Sequence, residues 1–95
     1  MTISIAHRFD LATRVIDVSV TADPGKRLAR VETTYDGFRL GFGSGDIHPP
    51  ASSYSNSYNT QDAISPGRER VVVVNAWHTD GSTDSAQKRW FDVIG

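Results

Sequence analysis

An all-β fold, two antiparallel sheets packed face to face from about seven strands, is what this 95-residue sequence predicts. Three observations lead there. Nine Val, six Ile and eight Thr stand against three Leu and one Met, and branched side chains suit a pleated surface while losing rotamer freedom in helices. Turn signals recur at the short intervals of a sandwich: Asp23-Pro24-Gly25, Asp36-Gly37, Gly43-Ser44-Gly45, His48-Pro49-Pro50, Ser65-Pro66-Gly67 and Asp80-Gly81. Between them, apolar and polar residues alternate with the period of a strand that has one buried side.

The length allows one domain, residues 1–95, with a long Ser/Tyr-rich loop at about 46–62. Ten basic against eleven acidic side chains leave a net charge of −1. This excludes the basic footprint of a nucleic-acid or anionic-membrane binder. The lack of cysteine excludes a disulfide scaffold, a thiolate zinc site and cysteine catalysis. The longest aliphatic run, Val71 to Val74, is far short of a membrane span, and Arg8 and Asp10 interrupt any signal-peptide core. A soluble chain is expected, or a domain of a longer exported protein.

Taken in order, Met1 to Asp10 alternate. Arg14 to Ala22 places Ile16, Val18, Val20 and Ala22 on one face. Leu28 to Tyr35 repeats the pattern with Ala29, Val31, Thr33 and Tyr35. Asp36-Gly37 suits a type I′ hairpin, whose two central residues need positive φ, and Phe38, Leu40 and Phe42 continue on the return strand. Pro49 to Thr60, almost without aliphatics, reads as loop, with a short edge strand from Ser57 to Ala63. Arg70 to His78 is the strongest strand, and its run of four valines marks a central one. Asp80-Gly81 closes a second hairpin onto Ala86 to Ile94, read as a strand in preference to a helix capped by Ser82, Thr83 or Ser85. The predicted inward set is Ile16, Val18, Val20, Val31, Val72, Val74, Phe91 and Val93.

Val18-Ser-Val-Thr-Ala-Asp-Pro-Gly, with Leu28-Ala-Arg-Val-Glu and Tyr35-Asp-Gly, resembles the second and third strands of bacterial immunoglobulin-like domains. Ser65-Pro-Gly-Arg-Glu-Arg-Val-Val-Val-Val-Asn-Ala-Trp-His-Thr-Asp-Gly-Ser resembles their penultimate strand and last hairpin, and Phe91-Asp-Val their closing strand. Fibronectin type III and PKD-like modules share such patterns. The resemblance implies an immunoglobulin-like sandwich and a non-enzymatic spacer, adhesion or binding role.

Candidate chemical sites are few. Asp80-Gly-Ser-Thr-Asp84 spaces oxygens like a calcium loop, yet the sixth and twelfth positions hold Ser85 and Phe91 where an EF-hand needs Gly and Glu. His7, His48 and His78 are scattered. Gly41 to Gly45 is followed by Asp46-Ile-His-Pro-Pro and not by a helix start, so it reads as a turn and not a phosphate loop. With two Glu and with Asp mostly in turns, no acid–base pair emerges. No enzyme, no cofactor and no metal is expected.

Two features point to binding. Tyr54 and Tyr58 lie among Ser and Asn, a mixture that combines large rigid contact area with adaptable hydrogen bonding. If Val72, Val74 and Ala76 face inward, then Val71, Val73 and Trp77 face outward, and Trp90 and Ile94 on the next strand would join them in one apolar sheet face. The expected function is a non-catalytic interaction, adhesion or assembly module of a secreted, surface or virion protein, its partner another protein or a second copy. The rival is a carbohydrate-binding module attached to a polysaccharide-active enzyme, which uses Trp77, Trp90, Tyr54 and Tyr58 as a coplanar sugar platform.

Overall fold

A computed structural model describes residues 1–10, 13–41, 45–63 and 67–91. Eight strands form over them: β1 (Thr2–Asp10), β2 (Thr13–Thr21), β3 (Leu28–Tyr35), β4 (Phe38–Leu40), β5 (Asp46–Ala51), β6 (Ser53–Ala63), β7 (Glu69–His78) and β8 (Thr83–Phe91). They build two antiparallel sheets, one ordered β1-β2-β6, the other β4-β3-β7-β8 with β5 also paired to β3. The last element is a strand, and among the described residues there is no helix.

The sheets bury their facing sides against each other. Ile16, Val18 and Val20 of β2 meet Leu28, Val31 and Tyr35 of β3 and Val72, Val74 and Ala76 of β7 in one cluster, each no more than 6% exposed. Six of the eight predicted inward residues are therefore in the core, and Val93 lies outside the described residues. The eighth is a correction. Phe91 is 61% exposed, while Trp90 turns inward and packs against the core.

A single loop residue causes this reversal. An Asp-Gly type I′ turn joins its flanking residues after two loop residues, and the first hairpin does so: Tyr35 pairs with Phe38, with Asp36 at φ 50° and Gly37 at φ 85°. In the second hairpin the Gly81 amide donates to the His78 carbonyl, Gly81 sits at φ 88°, and the His78 amide then donates to the Ser82 carbonyl. That is a turn followed by a left-handed glycine, one residue longer than a type I′ hairpin. Val72 consequently pairs with Lys88 and Arg70 with Trp90. A one-residue change of register exchanges the faces of the whole strand.

Two further departures have local causes. Leu28 pairs with His78 and Arg30 with Trp77, so Ala29 is an extra residue in β3, and fully buried Leu28 takes the core place predicted for Ala29. The segment predicted as loop forms β5 and β6, the latter antiparallel to β2 in unbroken register from Ser53 to Asn59. Here Tyr54 and Tyr58 supply the buried apolar area that aliphatics supply elsewhere.

The two sides of the sandwich differ. On one, β1 and β8 meet through His7 and Trp90, whose rings stack at 4.2 Å and 2°. On the other, β6 and the β4–β5 edge stand apart, and a cleft opens between them.

Candidate binding cleft

Period two along β6 turns Tyr54, Asn56 and Tyr58 to the inner side, opposite Val20, Val18 and Ile16. At the open side, these three residues form one wall of a cleft of about 430 Å³, with Arg39, Asp46 and His48 on the facing strands. The two tyrosine hydroxyls are hydrogen-bonded at 2.6 Å, and the Asn56 side-chain amide donates to the Tyr54 hydroxyl at 3.2 Å. Burial, reinforced by the Tyr58 hydroxyl, pushes the Tyr54 phenol up to about 12. The Tyr54 ring is therefore neutral at physiological pH, and the cleft is lined by phenols, a carboxamide, an imidazole and the Asp46 carboxylate beside the Arg39 guanidinium. Arg39 is held near Glu32 at 3.8 Å.

Glycines shape the rim. A Cβ on Gly45, at φ 84°, would lie 2.5 Å from the Val31 carbonyl oxygen. One on Gly41, at φ 87°, would lie 3.1 Å from the Tyr58 ring. Both positions need glycine for handedness and for space. The turn predicted for this segment falls on residues 42–44, which lie outside the described residues; the glycines on either side of it both have positive φ.

Toward one end of the sandwich, two fully buried arginines flank the Tyr35 ring, with guanidinium carbons 5.8 Å (Arg14) and 5.7 Å (Arg70) from its centroid. Arg14 donates to the Tyr35 hydroxyl, and Arg70 pairs with Asp36 at 3.1 Å. Asp36 also accepts the Val71 amide at 2.9 Å, which ties the first hairpin to β7. Its carboxylate thus serves a turn and a buried charge together.

The predicted binding residues fall in three places. Tyr54 and Tyr58 come together in the cleft. Val71, Val73 and Trp77 lie half-buried on the outer face of the larger sheet, where the Arg30 guanidinium sits 5.2 Å from the Trp77 ring centroid. Trp90 is on the opposite face, and Ile94 lies outside the described residues. The five-residue apolar face expected of Val71, Val73, Trp77, Trp90 and Ile94 is thus not assembled: the outward neighbours on β8 are Thr83, Ser85, Gln87, Arg89 and Phe91. Nor do the four aromatics form a coplanar strip. Sequence reasoning missed Asn56, Arg39, Asp46 and His48. Alternation about Asn56 could have found the first, but the others reach the cleft only because β4 and β5 both pair with β3.

The Asp80 carboxylate is turned onto its own loop, accepting from the Ser82 amide and hydroxyl and meeting Lys26 at 3.1 Å. These contacts, the Ser82 hydroxyl first, hold it well below the usual carboxylate range. Among the described residues, no cluster of three potential metal ligands is present and no helix is long and apolar enough to cross a membrane. No family model, curated protein or solved structure matches this chain.

Proposed function

We propose that this chain is a non-catalytic binding module of immunoglobulin-like architecture that engages its partner at the open side of the sandwich and not through a sheet face. The observation that carries the reading is the convergence of Tyr54, Asn56 and Tyr58 on one cleft wall, facing Arg39 and His48. Tyrosine contributes contact area with few rotamers to freeze, and the amide and guanidinium orient a polar ligand. The strand order supports the architecture: the first, second and sixth strands form one sheet and the third, seventh and eighth the other, as the A-B-E and C-F-G strands do in immunoglobulin-like sandwiches. An adhesion or assembly role in a secreted, surface or virion protein accords with such a module.

The favoured ligand is an extended segment of another protein, because the cleft is an open trough between two strand edges. A carbohydrate is the second reading, supported by a lining that mixes donors and acceptors as sugar hydroxyls require. Arrays of extended peptides and of neutral oligosaccharides, probed with the full chain and with Tyr54→Phe/Tyr58→Phe, separate the two. Binding to peptides that the double variant loses supports the first, and binding to sugars lost in the same way supports the second. Equal binding by both proteins, or none, overturns the cleft as the site.

A further inference from the structure

Strand edges are normally protected from pairing with other chains by charge, proline, shortness or bulges. Among the described residues, three of the four edge regions follow that rule. β1 carries Arg8, β8 carries Asp84, Lys88 and Arg89, and the β4–β5 edge is broken into short pieces with Arg39, Pro49 and Pro50. β6 has none of these devices from Ser53 to Asn59, a stretch without charge, proline or bulge; its irregularity and Asp62 come only after it. The strand is regular up to that point, and β6 stands at the edge of its sheet.

The backbone of that stretch points the right way. The Ala22 amide donates to the Ser52 carbonyl at 2.9 Å, so Ser52 and, by alternation, Tyr54, Asn56 and Tyr58 bond toward β2. Ser53, Ser55 and Ser57 then offer their amides and carbonyls to the outside. Consistently, the Ser57 amide is met by the Asn56 side-chain oxygen at 2.8 Å, a substitute any incoming strand can displace.

The sequence is also nearly palindromic. Ser53-Tyr-Ser-Asn-Ser-Tyr-Asn59 reads almost the same in both directions about Asn56. A two-fold contact between copies is self-complementary and antiparallel, so it brings each residue against its mirror position. We propose that the outer edge of β6 pairs with the same edge of a second copy, antiparallel about Asn56, joining two three-stranded sheets into one. In this register Ser55 faces Ser57 of the other copy and exchanges both backbone bonds with it. Asn56 faces its own counterpart, and Tyr54 faces Tyr58. The last two are non-hydrogen-bonded pairs, in which side chains approach closest. The outward-bonding residues are the ones this register requires. A one-residue shift would oppose outward groups to inward ones. The inference does not depend on the cleft being occupied.

Pairing through one edge buries little area, so association is expected to be weak and concentration-dependent. Sedimentation of the full chain up to millimolar concentration should show a monomer–dimer equilibrium. Ser55→Pro removes an outward amide without touching the ladder to β2, and should give a monomer with unchanged circular dichroism. Because the chain lacks cysteine, Asn56→Cys gives a clean crosslink: mild oxidation should yield disulfide dimers many-fold faster than for Gln87→Cys, exposed on β8. Asn56→Lys and Asn56→Asp should each associate less than wild type, and their mixture should associate more than either alone. A dimer in which Asn56→Cys crosslinks no faster than Gln87→Cys uses another surface and overturns the proposal. A strictly monomeric wild type, with slow oxidation of the Asn56→Cys variant, overturns it too, leaving the edge to solvent or to a foreign strand.

Discussion

Trp90 and Phe91 are adjacent in sequence and face opposite sides of β8, so truncating each reads the register directly. Trp90→Ala removes the ring stacked on His7 and opens a cavity at the closed side, and should cost about 2–4 kcal/mol in urea denaturation. Phe91→Ala should stay within about 0.5 kcal/mol, as an exposed substitution does. Tyr54 reports on the cleft through pH. Its folded phenol titrates at about 12 against an ordinary 10.0, so the unfolded chain ionises first on the way up. The unfolded state then binds fewer protons, and stability falls as pH rises through that window. Melting temperatures followed across the same range should drop more steeply for wild type than for Tyr54→Phe. Trp90 and Tyr54 were conspicuous as large aromatics in the sequence, but their directions were not, because direction depends on pairing to another strand.

At the scale of elements, the two Asp-Gly hairpins show how far turn chemistry can be read from sequence. Asp36-Gly37 was legible because a two-residue loop leaves no freedom of register. Asp80-Gly81 was legible as a reversal, but its loop closes one residue later, at His78 and Ser82, and every β8 side chain changes face. Glycine strain should follow from what surrounds each site. Gly37→Ala and Gly81→Ala meet nothing within 4 Å and should lose roughly 1 kcal/mol through positive φ alone. Gly45→Ala forces a Cβ against the Val31 carbonyl as well, and should lose distinctly more, about 2–3 kcal/mol. Thermal denaturation of the three variants side by side checks the order. β6 was illegible as a full strand because strand recognition relies on aliphatic alternation, and here tyrosines pack on the core while serines and asparagines occupy most of the other positions.

For the molecule as a whole, the sandwich has one zipped side and one open one, and local stability should follow that division. β7 is flanked by β3 and β8 and carries three fully buried aliphatics, so its amides should exchange slowest with deuterated solvent. Along β6 the outward amides of Ser53, Ser55 and Ser57 should exchange faster than those bonded to β2 at low concentration, Ser57 least so because the Asn56 side-chain oxygen holds it. Slowing of these same three as concentration rises would be the signature of β6 pairing between copies. Uniform exchange along β6 regardless of concentration would count against it.

By itself the sequence determined the all-β class, the central place of Arg70 to His78, the first hairpin and six residues of the core. Each of these follows from short-range causes: branched side chains, period two and the φ tolerance of Asp and Gly. The tertiary structure alone decided the face of Trp90, the extra residue at Ala29, the strand character of residues 53–63 and the meeting of Arg39, Asp46 and His48 with the tyrosines. These depend on which strand lies beside which and in what register. A pleated strand offers two faces of nearly equal local cost, and only the burial won by the assembled sheets chooses between them.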